Sequence, residues 1–264
     1  MPHILQSEIT LTQLPSWFRT RLSAHRGYGS PQNSIRALRA ALEAGFSMVE
    51  FDVLLDRGHW WLRHSLDDDS TETLADALAL FRGSHVLPKV DFKLRVDQFT
   101  SETVSAIYHE LARFPGKKLV NLAHRGQQVV DGAHPEHFFG ARNYMHVERI
   151  MYDLHSKKDV SIMLNLDLQR YKQHAGVSDE EMLHHIRAIQ PFVYSLSPEL
   201  TMTDIVEASY AVANTCSIRH IHGWLHREKG HTITMEQATN FYNDTLAHHL
   251  EPMFDIDIRH QLHI

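Results

Sequence analysis

Two short segments of this 264-residue chain set charged side chains two residues apart: MVEFDV at 48–53 and VLPKVDFKL at 86–94. On an extended strand successive side chains alternate between faces. Glu50 and Asp52 therefore share one face, and Val49, Phe51 and Val53 share the other. The same rule puts Asp91 beside Lys93, opposite Val90, Phe92 and Leu94. An ordinary strand with its polar face in water accounts for either segment alone. The surroundings favour chemistry. An amphipathic helical pattern precedes the acidic pair, as in a βα unit whose apolar strand face is covered by helices. Both pairs also come late in their strands, where barrel enzymes set catalytic groups. Three carboxylates converging on one spot repel one another unless a cation lies between them, and an oxygen-only donor set favours Mg²⁺ or Ca²⁺ over zinc.

The same region carries His25 and Arg26 within AHRGYGSPQNS, and His64 within WWLRHS. Taken in order, HRG, PQNS, VEFDV, RHS and DFK resemble the glycerophosphodiester phosphodiesterase family, whose pattern runs HRG, PENT or PENS, E-x-D, H-D and E-x-K. The resemblance is confined to residues 24–93. It implies a (β/α)₈ TIM barrel that hydrolyses a glycerophosphodiester or a related diester, a lipid head group or a glycerol-phosphate polymer. By position, His25 and His64 match the family's two catalytic histidines. Glu50, Asp52 and Asp91 match its metal ligands, for Mg²⁺ or Ca²⁺ with Mn²⁺ as a further candidate. Arg26 and Lys93 match its phosphate contacts. The resemblance further implies attack by the substrate's own neighbouring hydroxyl, giving a cyclic phosphate that water then opens.

Three positions depart from the pattern. Gln32 stands for the Glu of PEN, Ser65 for the Asp after the second histidine, and Asp91 for the third Glu. An Asp-x-Lys there also resembles the sphingomyelinase D branch, which uses the same residues and stops at the cyclic phosphate. The departures leave a non-catalytic, phosphate-binding barrel as the other alternative. Between His64 and Asp91 there is no room for the insert that caps the glycerol pocket of many family members, so a more open pocket is expected.

Composition bounds the rest. The length suits one α/β barrel domain over residues 1–264, with 1–20 as a lead-in. A net charge of −6 with neutral histidines supplies no basic field for nucleic acid. An anionic diester would be drawn in by a bound cation with Arg26 and Lys93. The lone Cys216 excludes an intrachain disulfide, and the amino terminus lacks the pattern of a signal peptide, so a cytoplasmic, soluble protein without a transmembrane segment is expected. The 22 histidines are spread along the chain rather than set at zinc-ligand spacings. Their shared effect is a net charge that changes steeply between about pH 5 and 7.

The elements that must position these residues follow from the pattern. A helix over 14–21 precedes a first strand, 21–25, which delivers His25 and Arg26. Asn33 or Ser34 caps a helix over 35–44 that Gly45 ends, Asn33 being structural. A strand over 47–53, a hairpin at Gly58, a helix over 71–81 and a strand over 86–94 follow, with the acidic run 67–69 read as a solvated loop and cap. Further strands are expected at 118–123, 160–166, 192–196, 217–225 and 253–257, with helices over 97–114 and 235–250. His124, Arg125, Asn165, Asp167, His222 and Trp224 lie near strand ends with no assigned role.

Overall fold

The apolar faces of the two charged strands decide the architecture, because each must be covered by helices. The computed structural model describes residues 11–94, 98, 101–124, 160–166, 168, 178–225, 230–257 and 261–263. The strands are β1 (Leu22–Ala24), β2 (Met48–Asp56), β3 (His59–Trp61), β4 (Leu87–Leu94), β5 (Gly116–His124), β6 (Val160–Leu166), β7 (Val193–Leu196), β8 (His220–Trp224), β9 (Ile233–Thr234), β10 (Glu251–Ile256) and β11 (Leu262–His263). All but β3, β9 and β11 form one parallel sheet in the order β1-β10-β8-β7-β6-β5-β4-β2. It closes through pairing of β1 with both β10 and β2. The result is an eight-stranded parallel barrel.

The described helices around it are α1 (Ser16–Arg19), α2 (Ile35–Ala44), α3 (Leu74–Leu80), α4 (Ser101–Ala112), α5 (Asp179–Ile189), α6 (Thr203–Cys216) and α7 (Met235–Ala247). Their starts are written in short polar residues. Ser34 accepts a hydrogen bond from the Ala37 N–H, while Thr73 with Asp76, Ser178 with Glu181 and Thr234 with Gln237 form reciprocal capping boxes. Each such cap is worth about 1 kcal/mol. Gly45, at φ 81°, ends α2 in the left-handed conformation that glycine adopts without strain.

Between strands and helices lies the main core, where Val49, Phe51, Val53, Val90, Phe92 and Leu94 meet Leu38, Ala41, Ala77 and Leu78. A second apolar group, Met48, Leu119 and Met253 with Leu87, Met163 and Tyr194 against them, comes from barrel strands. The charged side chains of β2 and β4 stand above that group on the same strand faces. Phe51→Ala, which empties a fully buried aromatic position, should cost about 3–5 kcal/mol by urea denaturation.

The elements match expectation with informative shifts. The strand over 160–166 and the helix over 35–44 appear residue for residue. β2 runs on to Asp56 because Leu54, Leu55 and Asp56 pair antiparallel with Trp61, Trp60 and His59 of β3. The first strand stops at Ala24, since the chain turns sharply after His25. The lead-in helix covers only Ser16–Arg19, beginning after Pro15. Trp17 packs on Tyr242 of α7 and Phe18 on Phe254 of β10, with ring centroids 4.3 and 4.6 Å apart. Only a loop and the seven-residue α3 separate His64 from β4, leaving no large insert there. His124 ends β5, while Arg125 and Asp167 lie outside the described residues. Among the described residues no helix is long and apolar enough to cross a membrane.

Candidate active site

The register between β2 and β4 builds the site. Glu50 pairs with Lys89, and Asp52 with Asp91, so the two charged faces lie side by side, Asp52 fifth of nine residues in β2 and Asp91 fifth of eight in β4, mid-strand rather than late as the sequence pattern suggests. Carboxylate oxygens of Glu50, Asp52 and Asp91 all fall within 4.8 Å of one another, and all three residues are buried. The neighbouring strand β1 leads directly into His25.

After His25 the chain takes left-handed conformations at Arg26 (φ 58°) and Gly27 (φ 78°). For a residue with a side chain this region is strained, a cost usually met where a side chain must be aimed. Here the reversal brings the Arg26 N–H to Glu50 Oε2 at 2.9 Å and its guanidinium Nε to Asp52 Oδ2 at 2.7 Å. Gly27 has a second constraint, because a Cβ built on it would stand 2.7 Å from the Ala37 carbonyl carbon of α2. Gly27→Ala should therefore lose about 2 kcal/mol or more of stability in urea denaturation.

Asn33 does the structural work expected of it. Its side chain accepts from the Asp52 N–H at 2.8 Å and donates to the Asp52 carbonyl at 3.0 Å, pinning the loop to the acidic strand. Gln32 donates to the Asp257 carboxylate at 3.0 Å. A glutamate at position 32 would face that carboxylate with like charge, which accounts physically for the amide. Nothing in the structure explains the serine side chain at position 65, but its backbone is fixed. Asp68 accepts from the His64 and Ser65 N–H groups at 2.7 and 2.9 Å, holding the backbone at the histidine. Of the acidic run, Asp68 is thus a turn cap.

Electrostatics tie the group together. Lys93 Nζ lies 3.0 Å from Asp52 Oδ1 and hydrogen-bonds to Asp91. Burial alone would raise the Asp52 pKa, but Lys93 and Arg26 outweigh it and hold the carboxyl down at about 2, with smaller contributions from His64 and His25. Glu50 goes the other way. Burial first, then Asp52, Asp255 and Asp91, push its carboxyl well above the usual carboxylate range. His25 Nε2 stands 3.7 Å from Glu50 Oε2, and burial lowers the imidazole pKa despite Asp255.

The donor set suits a hard divalent cation: three oxygen ligands from adjacent strands, with Asp91 Oδ1 buried and lacking a hydrogen-bond partner among the described residues. Glu50 supplies a pH test. A pKa raised by folding means that ionised Glu50 costs stability, so the metal-free protein should gain stability as pH falls through the folded pKa. Glu50→Gln should melt no lower than wild type in EDTA at pH 7.5, yet should lack the stabilisation that saturating Mg²⁺ or Mn²⁺ is expected to give wild type. At a hundred times Kd that stabilisation is about 2.7 kcal/mol. Thermal melts of both proteins with and without cation test it.

Two further clusters were not assigned from sequence. Lys89 pairs with Asp255, and both are buried. Glu199, buried after β7, holds His231 Nδ1, and Thr201 Oγ1 contacts the same nitrogen at 3.2 Å. The signal for Lys89 was present, since it continues the alternation Lys89, Asp91, Lys93. Of the other strand-end residues, Asn165 accepts from Ser195 at 2.6 Å and Trp224 Nε1 donates to the Ser197 carbonyl at 3.1 Å, both contacts within the far wall of the barrel. His222 is buried edge-on to Tyr194 at 5.8 Å.

No family model and no curated relative matches the chain. Solved structures do. The chain is similar to 2,3-dimethylmalate lyase, a PEP mutase/isocitrate lyase superfamily member, at 15% identity and TM-score 0.51 over 93% of this chain and 78% of that one. The fold is a TIM barrel. It is also similar to a glycerophosphodiester phosphodiesterase from Agrobacterium tumefaciens str. C58, at 13% identity and TM-score 0.48 over 90% and 95% of the two chains. Orotidine 5'-monophosphate decarboxylase from Methanocaldococcus jannaschii aligns at 10% identity and TM-score 0.47 over 91% and 89%. At 15% identity the likeness to the lyase carries the fold alone.

Proposed function

We propose that this barrel is a metal-dependent phosphodiesterase acting on a glycerophosphodiester or a related diester. The observation that carries the reading is the buried cluster of Glu50, Asp52 and Asp91, bounded by Arg26 and Lys93 with His25 beside it. Its charge supports an anionic substrate. Three carboxylates against one guanidinium and one ammonium leave one negative charge in excess. A divalent cation turns that excess into one positive charge, which a phosphodiester monoanion cancels.

When bound by Glu50, Asp52 and Asp91, the cation would stabilise charge on a non-bridging phosphate oxygen. Arg26 and Lys93 take up the remaining negative charge as the pentavalent transition state forms. One of His25 and His64 removes the proton from the attacking hydroxyl, and the other delivers a proton to the leaving oxygen as the P–O bond breaks. Imidazole suits both roles because its ordinary pKa lies near neutrality.

A second reading is favoured by one observation. Lys93 already contacts both Asp52 and Asp91, an arrangement that would also serve a barrel that binds phosphate without turnover. The deciding experiment is hydrolysis of bis(p-nitrophenyl) phosphate and glycerophosphocholine in EDTA and then with Mg²⁺, Ca²⁺ or Mn²⁺. Turnover lost to EDTA and restored by one metal supports the phosphodiesterase. Absence of turnover with no metal bound supports the binding protein. Phosphorus NMR of the product separates hydrolysis from a reaction that ends at the cyclic phosphate.

A further inference from the structure

Lys89 is buried on the lumen face of β4, two residues before Asp91 and in register with Glu50. Its ammonium neither reaches solvent nor turns to those carboxylates. It crosses the lumen to Asp255 on β10, a strand separated from β4 by β2 and β1. The charges that bear on Lys89 are Asp255 first, then Glu50 and Asp91. Beyond Lys89, the charges that bear on Asp255 are those of His25 and His222. Among the described residues, the Asp255 Oδ1 has no hydrogen-bond partner, and neither nitrogen of the buried His222 has one.

A buried lysine at this place is a threat to the cluster above it. Deprived of Asp255, the ammonium would find its nearest counter-charges in Glu50 and Asp91, two of the three carboxylates read as cation ligands. We propose that Asp255 is a positioning residue for the cation site: it ties Lys89 across the lumen and so keeps Glu50 and Asp91 available to the metal. The proposal rests on the reading of the carboxylate cluster as a cation site, and it assigns β10 a part in that site without direct contact to the ion. A pair set behind the ligands in this way commonly changes metal affinity by 10- to 100-fold, roughly the range seen for outer-shell partners.

The test is Mn²⁺ titration of the full chain at pH 7.5, with free Mn²⁺ read by electron paramagnetic resonance. Asp255→Asn should weaken Mn²⁺ binding by about tenfold or more, because it removes the tether and leaves the ammonium. The double variant Lys89→Met/Asp255→Leu removes the competitor as well and should bind within about threefold of wild type. Wild-type affinity in Asp255→Asn would overturn the proposal, as would a double variant as weak as the single one. If Asp255→Asn fails to fold by circular dichroism, the double variant still decides, since it buries no unpaired charge. If wild type itself binds no Mn²⁺, the cation site fails and the proposal with it. That outcome is distinct from a wild type that binds and an Asp255→Asn that binds equally well.

Discussion

Asp52→Asn is expected to lower turnover about a thousandfold and to abolish measurable cation binding, the largest effect of any single substitution in this barrel. Asp52 is fully buried and is fixed from four sides. Asn33 holds its backbone N–H and carbonyl, Arg26 takes one carboxylate oxygen and Lys93 the other. An amide keeps the shape but turns one oxygen into a donor facing a cation. Removing one partner of a buried ion pair typically costs about 3–5 kcal/mol, so stability should fall as well, which urea denaturation at pH 7 would show. The pH dependence has a definite sign. A folded pKa depressed to about 2 contributes stability above the unfolded value, near 3.9. That contribution is lost as pH falls from there through the folded pKa. Wild type should therefore weaken steeply between about pH 4 and 2, and Asp52→Asn should show a shallower loss. Equal turnover in the variant and wild type would remove the cluster from the chemistry.

His25→Ala and His64→Ala should each lower kcat at least about a hundredfold while leaving Mn²⁺ affinity within a few fold. The contrast with Asp52→Asn is the informative part. Neither imidazole is a ligand in the proposed arrangement, so metal binding and catalysis should separate. The two positions also differ in how they are held. His25 leaves β1 beside Glu50, at 3.7 Å. His64 arrives from a turn that Asp68 organises through two backbone N–H groups. Asp68→Ala should therefore mimic His64→Ala in part, through kcat, and leave His25 untouched. Turnover near wild type in either histidine variant would sink the two-histidine scheme.

Much of this site was legible because it depends on local rules. Alternation put Glu50 with Asp52 and Asp91 with Lys93, and the barrel register then set the two strands together. The helix over 35–44 could be bounded from its alanine and leucine spacing with Asn33 or Ser34 before it and Gly45 after it, and Ser34 is the residue that caps it, because these signals act through the local backbone. The pairing of Lys89 with Asp255 obeys no such rule. Those residues are 166 positions apart in the chain, and nothing in the periodicity of either strand names the other. The same holds for Gln32 and Asp257, 225 positions apart. Glu199 and His231 escaped notice because both lie in connecting segments, where hydrophobic alternation is silent. The expected run-out of the second strand at 53 was short because the hairpin with β3 depends on a partner strand rather than on its own pattern.

Glu50, Asp52, Asp91, Lys93, His25 and Arg26 all come from β1, β2 and β4 or the turns that leave them, and those strands adjoin one another. The carboxylate cluster and the cationic and imidazole side chains around it thus occupy one arc of the barrel wall. The opposite arc, β6 to β8, presents Asn165, Ser195, His222 and Trp224 and shares no ion pair with the carboxylate cluster among the described residues. Such a division lets selection act on one half without disturbing the other. Among the described residues, substitutions on the far arc can therefore change the wall opposite the carboxylate cluster without touching any ion pair of that cluster.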